Sequence, residues 1–374
     1  MLDKYTDRLK ELEANFNLRE LKNFDDENCF NLSSNDYLGL ASDKGLRREF
    51  FRQRDVEDID FTSSSSRLLT GNHSEYRKLE TKIAELYSHQ AALVYNSGYH
   101  ANIGILPALC GKNDLVLADK SVHASIIDGL QLCKATVIRY RHNDYSHLEK
   151  MLEKYSVDMK NIFIVTESIF SMDGDVADLQ KLVELKKLYK AFLYLDEAHA
   201  VGARGENGLG IAEELSLINN VDILVGTFGK ALASQGAFVV CDEVIKKYLV
   251  NNSRSLIYTT ALPPVNIAWS LFIMEKLSDF KNARKRLKEN SALFCEILGL
   301  DAPQSNIIPI ILGENEKALR FADELKKRGV IVLPVRHPTV AKGTARLRFS
   351  MTAEFSREEV AEIGLRIRSV TLDG

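Results

Sequence analysis

Cysteine is scarce in this chain: five thiols, at positions 29, 110, 133, 241 and 295, with no C-x-x-C pair. An odd, scattered set supplies neither a zinc site nor a disulfide frame and fits thiols in a reducing compartment. No run of about 18 apolar residues occurs, so no membrane-spanning helix is expected. The opening MLDKYTDRLKELEANF mixes charged and apolar residues and lacks the apolar centre of a secretion signal, which makes a cytoplasmic location the expectation. A large excess of one charge is also missing. The net charge of −3 over 374 residues leaves no footprint for nucleic acid or an anionic membrane. There is no internal repeat, low-complexity run or Pro/Gly-rich linker. Three familiar site motifs are absent as well. Gly226 to Lys230 is preceded by Leu224 and Val225 and followed by Ala231, which fails the P-loop pattern. No strand opens into G-x-G-x-x-G, against a dinucleotide site. DEAHA offers one histidine where a zinc helix needs two, so no metal site is expected.

What is present is a globular composition, 45% hydrophobic and 27% charged. The length suggests roughly two or three domains. The first 24 residues fit an amphipathic helix with Leu9, Leu12, Phe16 and Leu18 on one side. Further on, apolar runs alternate with helical patterns. SEYRKLETKIAELY, with Ser74 as N-cap, and DLQKLVELKKLYK read as helices; AALVY, LVLAD, IFIVTE, AFLYLD, DILVGT and Ala237 to Val240 read as strands. This predicts βαβ units and a mainly parallel sheet, with ligands beyond the carboxyl ends of its strands. The final third reads as one long helical stretch from SLFIMEKL to LFCEIL. NIIPIILG (strand), EKALRFADELKKRG (helix), VIVLPV and ARLRFSMT (strands) follow, as in a smaller α+β domain. The expected division is an N-terminal segment over 1–45, a large α/β domain over 46–250 and an α+β domain over 251–374.

Three polar residues fall just past apolar strands: Asp196 and His199 after FLYL, and Lys230 after ILVGTF. Singly, each has a plain explanation as a helix cap, a hydrogen-bonded histidine or a chance turn. Together they ask for more, because an ammonium between two strand-like segments is costly unless it is paired or sheds its proton. A desolvated lysine amine can form an imine. An acid at a neighbouring strand end can keep a pyridine nitrogen protonated, and the two together are the requirement of pyridoxal phosphate chemistry.

LDEAHAVG, followed some thirty residues on by TFGKA, resembles the fold-type I pyridoxal-phosphate enzymes, and among them the α-oxoamine synthases. SSNDYLGL (33–40), SRLLTGN (66–72), NSGYHAN (96–102), HAS (123–125), TESIFSMDGD (166–175), IYTTALPP (257–264) and GTARLRFSMTA (343–353) match in order, over nearly the whole chain. The resemblance implies the aspartate aminotransferase-like fold and pyridoxal 5'-phosphate as cofactor. It also implies catalytic roles for Lys230 as the cofactor-bonding lysine, Asp196 at the pyridine nitrogen, His199 at the 3-oxygen and His123 on the pyridine face. Gly98 and Tyr99 would offer backbone amides to the phosphate at a helix N-terminus. Thr227 would add a hydroxyl, Ser171 a further cofactor contact, and Thr259 or Thr260 the hydroxyl lent by a partner subunit of a homodimer. Arg348, with Asn35, would bind the amino-acid carboxylate by a two-pronged fork, and Arg346, two residues earlier, is expected on the opposite face. Arg19 and Thr339 would touch the acyl substrate.

Within the family, HPTVAKGTARLR is most similar to the branch that joins L-alanine to a pimeloyl thioester, carried by coenzyme A or acyl carrier protein, in biotin biosynthesis. The alternatives are sister condensations of glycine with acetyl-CoA or serine with palmitoyl-CoA, and, in a different class, a cofactor-free scaffold on the same fold. Two departures stand out. Ser63-Ser64-Ser65-Ser66-Arg67 replaces a glycine-rich stretch, and Tyr76 stands where histidine is common. A Cβ there makes any left-handed backbone more costly.

Overall fold

The computed structural model describes residues 2–24, 29–54, 57 and 59–370. The chain falls into two compact units: Leu38–Phe170 with Val176–Arg284, and Met1–Tyr37 with Ser171–Asp175 and Lys285–Gly374. This cut differs from the three-segment division read from the sequence. The helices Glu243–Asn252 and Pro264–Glu275 group with the larger unit, and the N-terminal residues group with the C-terminal ones. Among the described residues no helix is long and apolar enough to cross a membrane.

The described strands are β1 Phe30–Asn31, β2 Ala91–Tyr95, β3 Leu115–Asp119, β4 Thr136–Tyr140, β5 Ile162–Glu167, β6 Phe192–Asp196, β7 Ile223–Thr227, β8 Ala237–Cys241, β9 Ile307–Gly313, β10 Val330–Ile331, β11 Pro334–Val335 and β12 Ala345–Ser350. The larger unit holds a seven-stranded sheet in the order β2-β8-β7-β6-β5-β3-β4. Its pairs are parallel except where β8 meets β2 and β7. Every residue of β2, β3, β5, β7 and β8 is buried. That accounts for the unbroken apolar runs, since a sheet covered on both faces needs no polar alternation. Each such Leu, Ile, Val or Phe contributes about 1.5–3 kcal/mol of burial. Gly226 interrupts β7 for a packing reason: a Cβ there would come within 2.3 Å of the Phe238 ring, its register partner on β8.

The smaller unit contains the antiparallel sheet β11-β12-β9 and the parallel pair β1-β10. VIVLPV thus forms two two-residue strands, β10 and β11, rather than one. The long helical stretch is broken into Pro264–Glu275, a 3-10 turn Leu277–Phe280 and Lys281–Leu298. The N-terminal helix runs only over Asp3–Ala14, buries no residue and leaves Leu9 exposed. It stops because Phe16 takes a left-handed φ of 55°, and the amide of Asn17 bonds Leu12 O at 2.7 Å, a turn that closes off the last carbonyls.

Candidate active site

Lys230 sits in the turn between β7 and antiparallel β8, just past the carboxyl end of β7. Thr227 braces that turn: its hydroxyl donates to Gly236 O at 3.0 Å and accepts the Gly229 amide at 3.2 Å. Lys230 is half-buried, and its Nζ lies 2.8 Å from Nε2 of buried His199. The lysine between two strands is therefore paired across to the segment after β6.

Asp196 closes β6 and is 5% exposed. Its carboxylate accepts the Asn102 side-chain amide at 2.9 Å and the Ala198 backbone amide at 2.9 Å. The same Asn102 nitrogen donates to Ser125 Oγ at 2.9 Å, while Asn102 Oδ1 accepts the Tyr194 hydroxyl at 2.5 Å. Ser125 Oγ lies 2.7 Å from His123 Nδ1. Nδ1 takes the Ser125 amide, so this network assigns the ring proton to Nε2. Burial holds the His123 pKa below its ordinary value; the Asp196 charge opposes this and the Lys230 charge reinforces it. The backbone amide of His123 donates to Glu167 Oε1 at 2.5 Å.

At the end of β2 the chain enters the helix Gly98–Leu109. Ser97 takes up the amides of His100 and Ala101 through its side chain and carbonyl. The first two amides, of Gly98 and Tyr99, are left for an anion, and a Cβ built on Gly98 meets nothing within 4 Å. Asn96, just before this turn, donates to Thr260 O at 2.7 Å and Thr259 Oγ1 at 3.3 Å, fastening both threonines nearby. The residues present fit pyridoxal phosphate: an amine, a buried acid, a flat imidazole and an open helix N-terminus all belong to one sheet edge or the segments leaving it.

In the smaller unit, Arg348 on β12 donates to Asn35 Oδ1 from both terminal nitrogens at 3.2 Å, to Tyr37 Oη at 3.3 Å, to Ser350 Oγ at 2.8 Å and to Ser171 O. Arg346 bonds Asp173 and Met172 O, so it faces the same 171–173 segment as Arg348. The expectation that it points the other way fails, because side chains two apart on a strand share a face. Arg19 Nη2 donates to Thr339 Oγ1 at 3.0 Å across 320 positions of sequence, so this pair is brought together. Arg336 secures the approach by donating to Phe16 O and Leu18 O.

The family described as aminotransferase class I and II matches residues 27–367. The chain belongs to that family. A protein of Neisseria meningitidis serogroup A named "Putative 8-amino-7-oxononanoate synthase" is 53% identical over 343 residues, covering 90% of each chain. A Haemophilus influenzae protein of the same name is 50% identical over 375 residues, covering 96% of this chain and 99% of its own. Among solved structures, Sphingomonas wittichii serine palmitoyltransferase is similar with a TM-score of 0.90 and 30% identity, covering 99% of this chain and 97% of that one. The 8-amino-7-oxononanoate synthase of Francisella tularensis gives 0.76 and 31%, covering 91% and 97%. The fold, the cofactor and the enzyme class expected from the sequence all stand: this is a fold-type I, pyridoxal-phosphate-dependent C-acyltransferase.

Of the residues expected at this family's site, Lys230, His199, Asp196, His123, Gly98, Tyr99, Thr227, Thr259 and Thr260 lie in the larger unit; Arg19, Asn35, Ser171, Thr339 and Arg348 lie in the smaller. Sequence reasoning missed Asn102, Ser125, Tyr194 and Glu167. Two signals were available: Asn102 is a lone amide in the apolar helix GYHANIGILPAL, and Glu167 is an acid ending the apolar run IFIVT. The serine run does contain a left-handed residue, Ser64 at φ 47°. Tyr76 is buried, its hydroxyl accepting the Leu262 amide at 2.8 Å beneath the Arg67 guanidinium, 4.0 Å from the ring.

Proposed function

We propose that the enzyme condenses L-alanine with a pimeloyl thioester, of coenzyme A or acyl carrier protein, to give 8-amino-7-oxononanoate, carbon dioxide and the free thiol carrier. The observation that carries this reading is Lys230 Nζ at 2.8 Å from His199 Nε2, beyond the strand end that bears Asp196. The relatives of matching name support the choice of substrates.

When bound, pyridoxal phosphate supplies the electron sink that stabilises charge at the amino acid's α-carbon. Lys230 would hold the cofactor at its aldehyde, and its amine is the group that would take the α-proton. Asp196 would keep the pyridine nitrogen protonated, His199 would serve the 3-oxygen and His123 would cover the ring face. The amides of Gly98 and Tyr99 and the hydroxyl of Thr227 would hold the phosphate, Ser171 would add a cofactor contact, and Thr259 or Thr260 would act across a homodimer. Arg348 and Asn35 grip the alanine carboxylate, which leaves as carbon dioxide. Arg19 and Thr339 bind the acid end of the pimeloyl chain, a group that acetyl and palmitoyl chains lack. In this reading the enzyme works in the cytoplasm, in biotin biosynthesis.

The higher backbone similarity to serine palmitoyltransferase favours a second reading, a sister condensation of serine or glycine. A panel of alanine, glycine and serine against pimeloyl, acetyl and palmitoyl thioesters separates the two. Turnover is expected with alanine and the pimeloyl thioester; turnover confined to glycine with acetyl-CoA, or to serine with palmitoyl-CoA, would defeat the proposal.

A further inference from the structure

Glu167 has no role in the scheme above, yet it ends β5 at the same sheet edge and is 2% exposed. It pairs in register with Asp196 of β6, so the two carboxyl side chains leave neighbouring parallel strands on one face. Two acids so placed and so buried do not both ionise readily; one keeps its proton. Hydrogen bonding decides which. Asp196 accepts two donors, from Asn102 and Ala198, whereas Glu167 accepts the His123 amide. The extra donor favours the anion at Asp196 and the proton at Glu167. The charged groups around Glu167 are Asp196, Lys230 and Asp119. Burial and then the Asp196 charge push the Glu167 carboxyl well above the ordinary range, against the pull of Lys230.

These contacts close a circuit. Asp196 is tied to Asn102, Asn102 to Ser125, Ser125 to the His123 ring, the His123 backbone to Glu167, and Glu167 by strand register back to Asp196. Removing the Glu167 carboxyl frees the backbone of the residue whose ring is to lie on the cofactor. We propose that Glu167 is a positioning residue: a buried neutral acid that clamps the His123 backbone and leaves the charge of the pair on Asp196. This rests on the reading of Asp196 and His123 as cofactor contacts.

The test titrates cofactor-stripped wild type, Glu167→Gln and Glu167→Leu with pyridoxal phosphate, with near-ultraviolet circular dichroism to check folding. Glutamine keeps the acceptor and is neutral, so its Kd is expected within about twofold of wild type. Leucine loses the acceptor and is expected to weaken binding about tenfold. Infrared spectra of the stripped proteins at neutral pH are expected to lose protonated-carboxyl intensity on going from wild type to Glu167→Gln. The proposal is overturned if Glu167→Gln binds as poorly as Glu167→Leu, if Glu167→Leu binds like wild type, or if the infrared intensity is the same in wild type and Glu167→Gln. Should Glu167→Leu fail to fold, the glutamine variant and the infrared comparison still decide. Borohydride labelling of wild type at Lys230 tests the cofactor reading separately, so the two failures cannot be confused.

Discussion

At the carboxyl edge of the seven-stranded sheet, polar side chains are buried and satisfied mainly by one another: Asp196, Asn102, Ser125, His123 and Glu167 form a connected set. Around β12 the smaller unit does something different. Arg348 is half-buried and spreads its donors over Asn35, Tyr37, Ser171 and Ser350, while Arg19 and Thr339 are exposed. The first set holds its geometry at the cost of depending on every member. The second offers the permanent cationic charge of guanidinium groups. The contrast sets a closed group of buried partners against half-buried and exposed cations.

The sharpest way to break that contrast is Lys230→Ala. Turnover is expected to fall by about 10⁴-fold, at the top of the range for a general base. The visible absorbance of covalently held cofactor should vanish, and a variant that kept both would refute the assignment. Stability against pH probes burial at the same sheet edge next, at an acid outside that set. Glu197, wholly buried, accepts Ser168 Oγ at 2.5 Å and the amides of Ile211 and Ala212 at 3.1 and 2.8 Å. Burial, partly offset by those hydrogen bonds, pushes its carboxyl from 4.5 up to about 7. Between those values the folded chain holds a proton that the unfolded chain has lost. Raising the pH through this window therefore costs the fold up to about 3 kcal/mol. Glu197→Gln removes the titration, so denaturant melts from pH 4.5 to 8 should show its stability relative to wild type rising with pH. A pH-independent offset would sink the point.

For the cationic set, Arg348→Ala should lower kcat/KM for the amino acid by about 10- to 100-fold if Arg348 binds its carboxylate, the scale of a charge-assisted hydrogen bond. Cofactor absorbance should stay unchanged, and a loss of bound cofactor would move Arg348 into the other class. The smallest effect is expected for Arg19→Ala, about fivefold in KM, as for an exposed ion pair. It should appear with a pimeloyl thioester and disappear with a chain of equal length lacking the terminal acid; equal losses on both would remove Arg19 from substrate recognition.

Much of this was legible because the signals are local. The apolar runs ending in Asp196 and Thr227 needed only a few neighbours to read, and ordered motifs carried the resemblance. The Asp196–Asn102 and Asn102–Ser125 bonds span 94 and 23 positions, and nothing within one short window announces them. The division at Arg284 was hidden for a related reason, since the 3-10 turn Leu277–Phe280 falls inside a run that keeps its helical pattern. The short strands β10 and β11 read as one because apolar composition does not record where pairing partners change. The side shared by Arg346 and Arg348 was readable from strand periodicity alone, and was misread.

Phe238 places its ring where residue 226 would otherwise carry a methyl group. Slipping this hairpin by one residue would set Phe238 opposite Val225 or Thr227 and turn the side chains of the strand to the other face of the sheet. The turn carrying the amine is thereby keyed to a single alignment of its two strands, set several residues behind it by an aromatic group on the neighbouring strand.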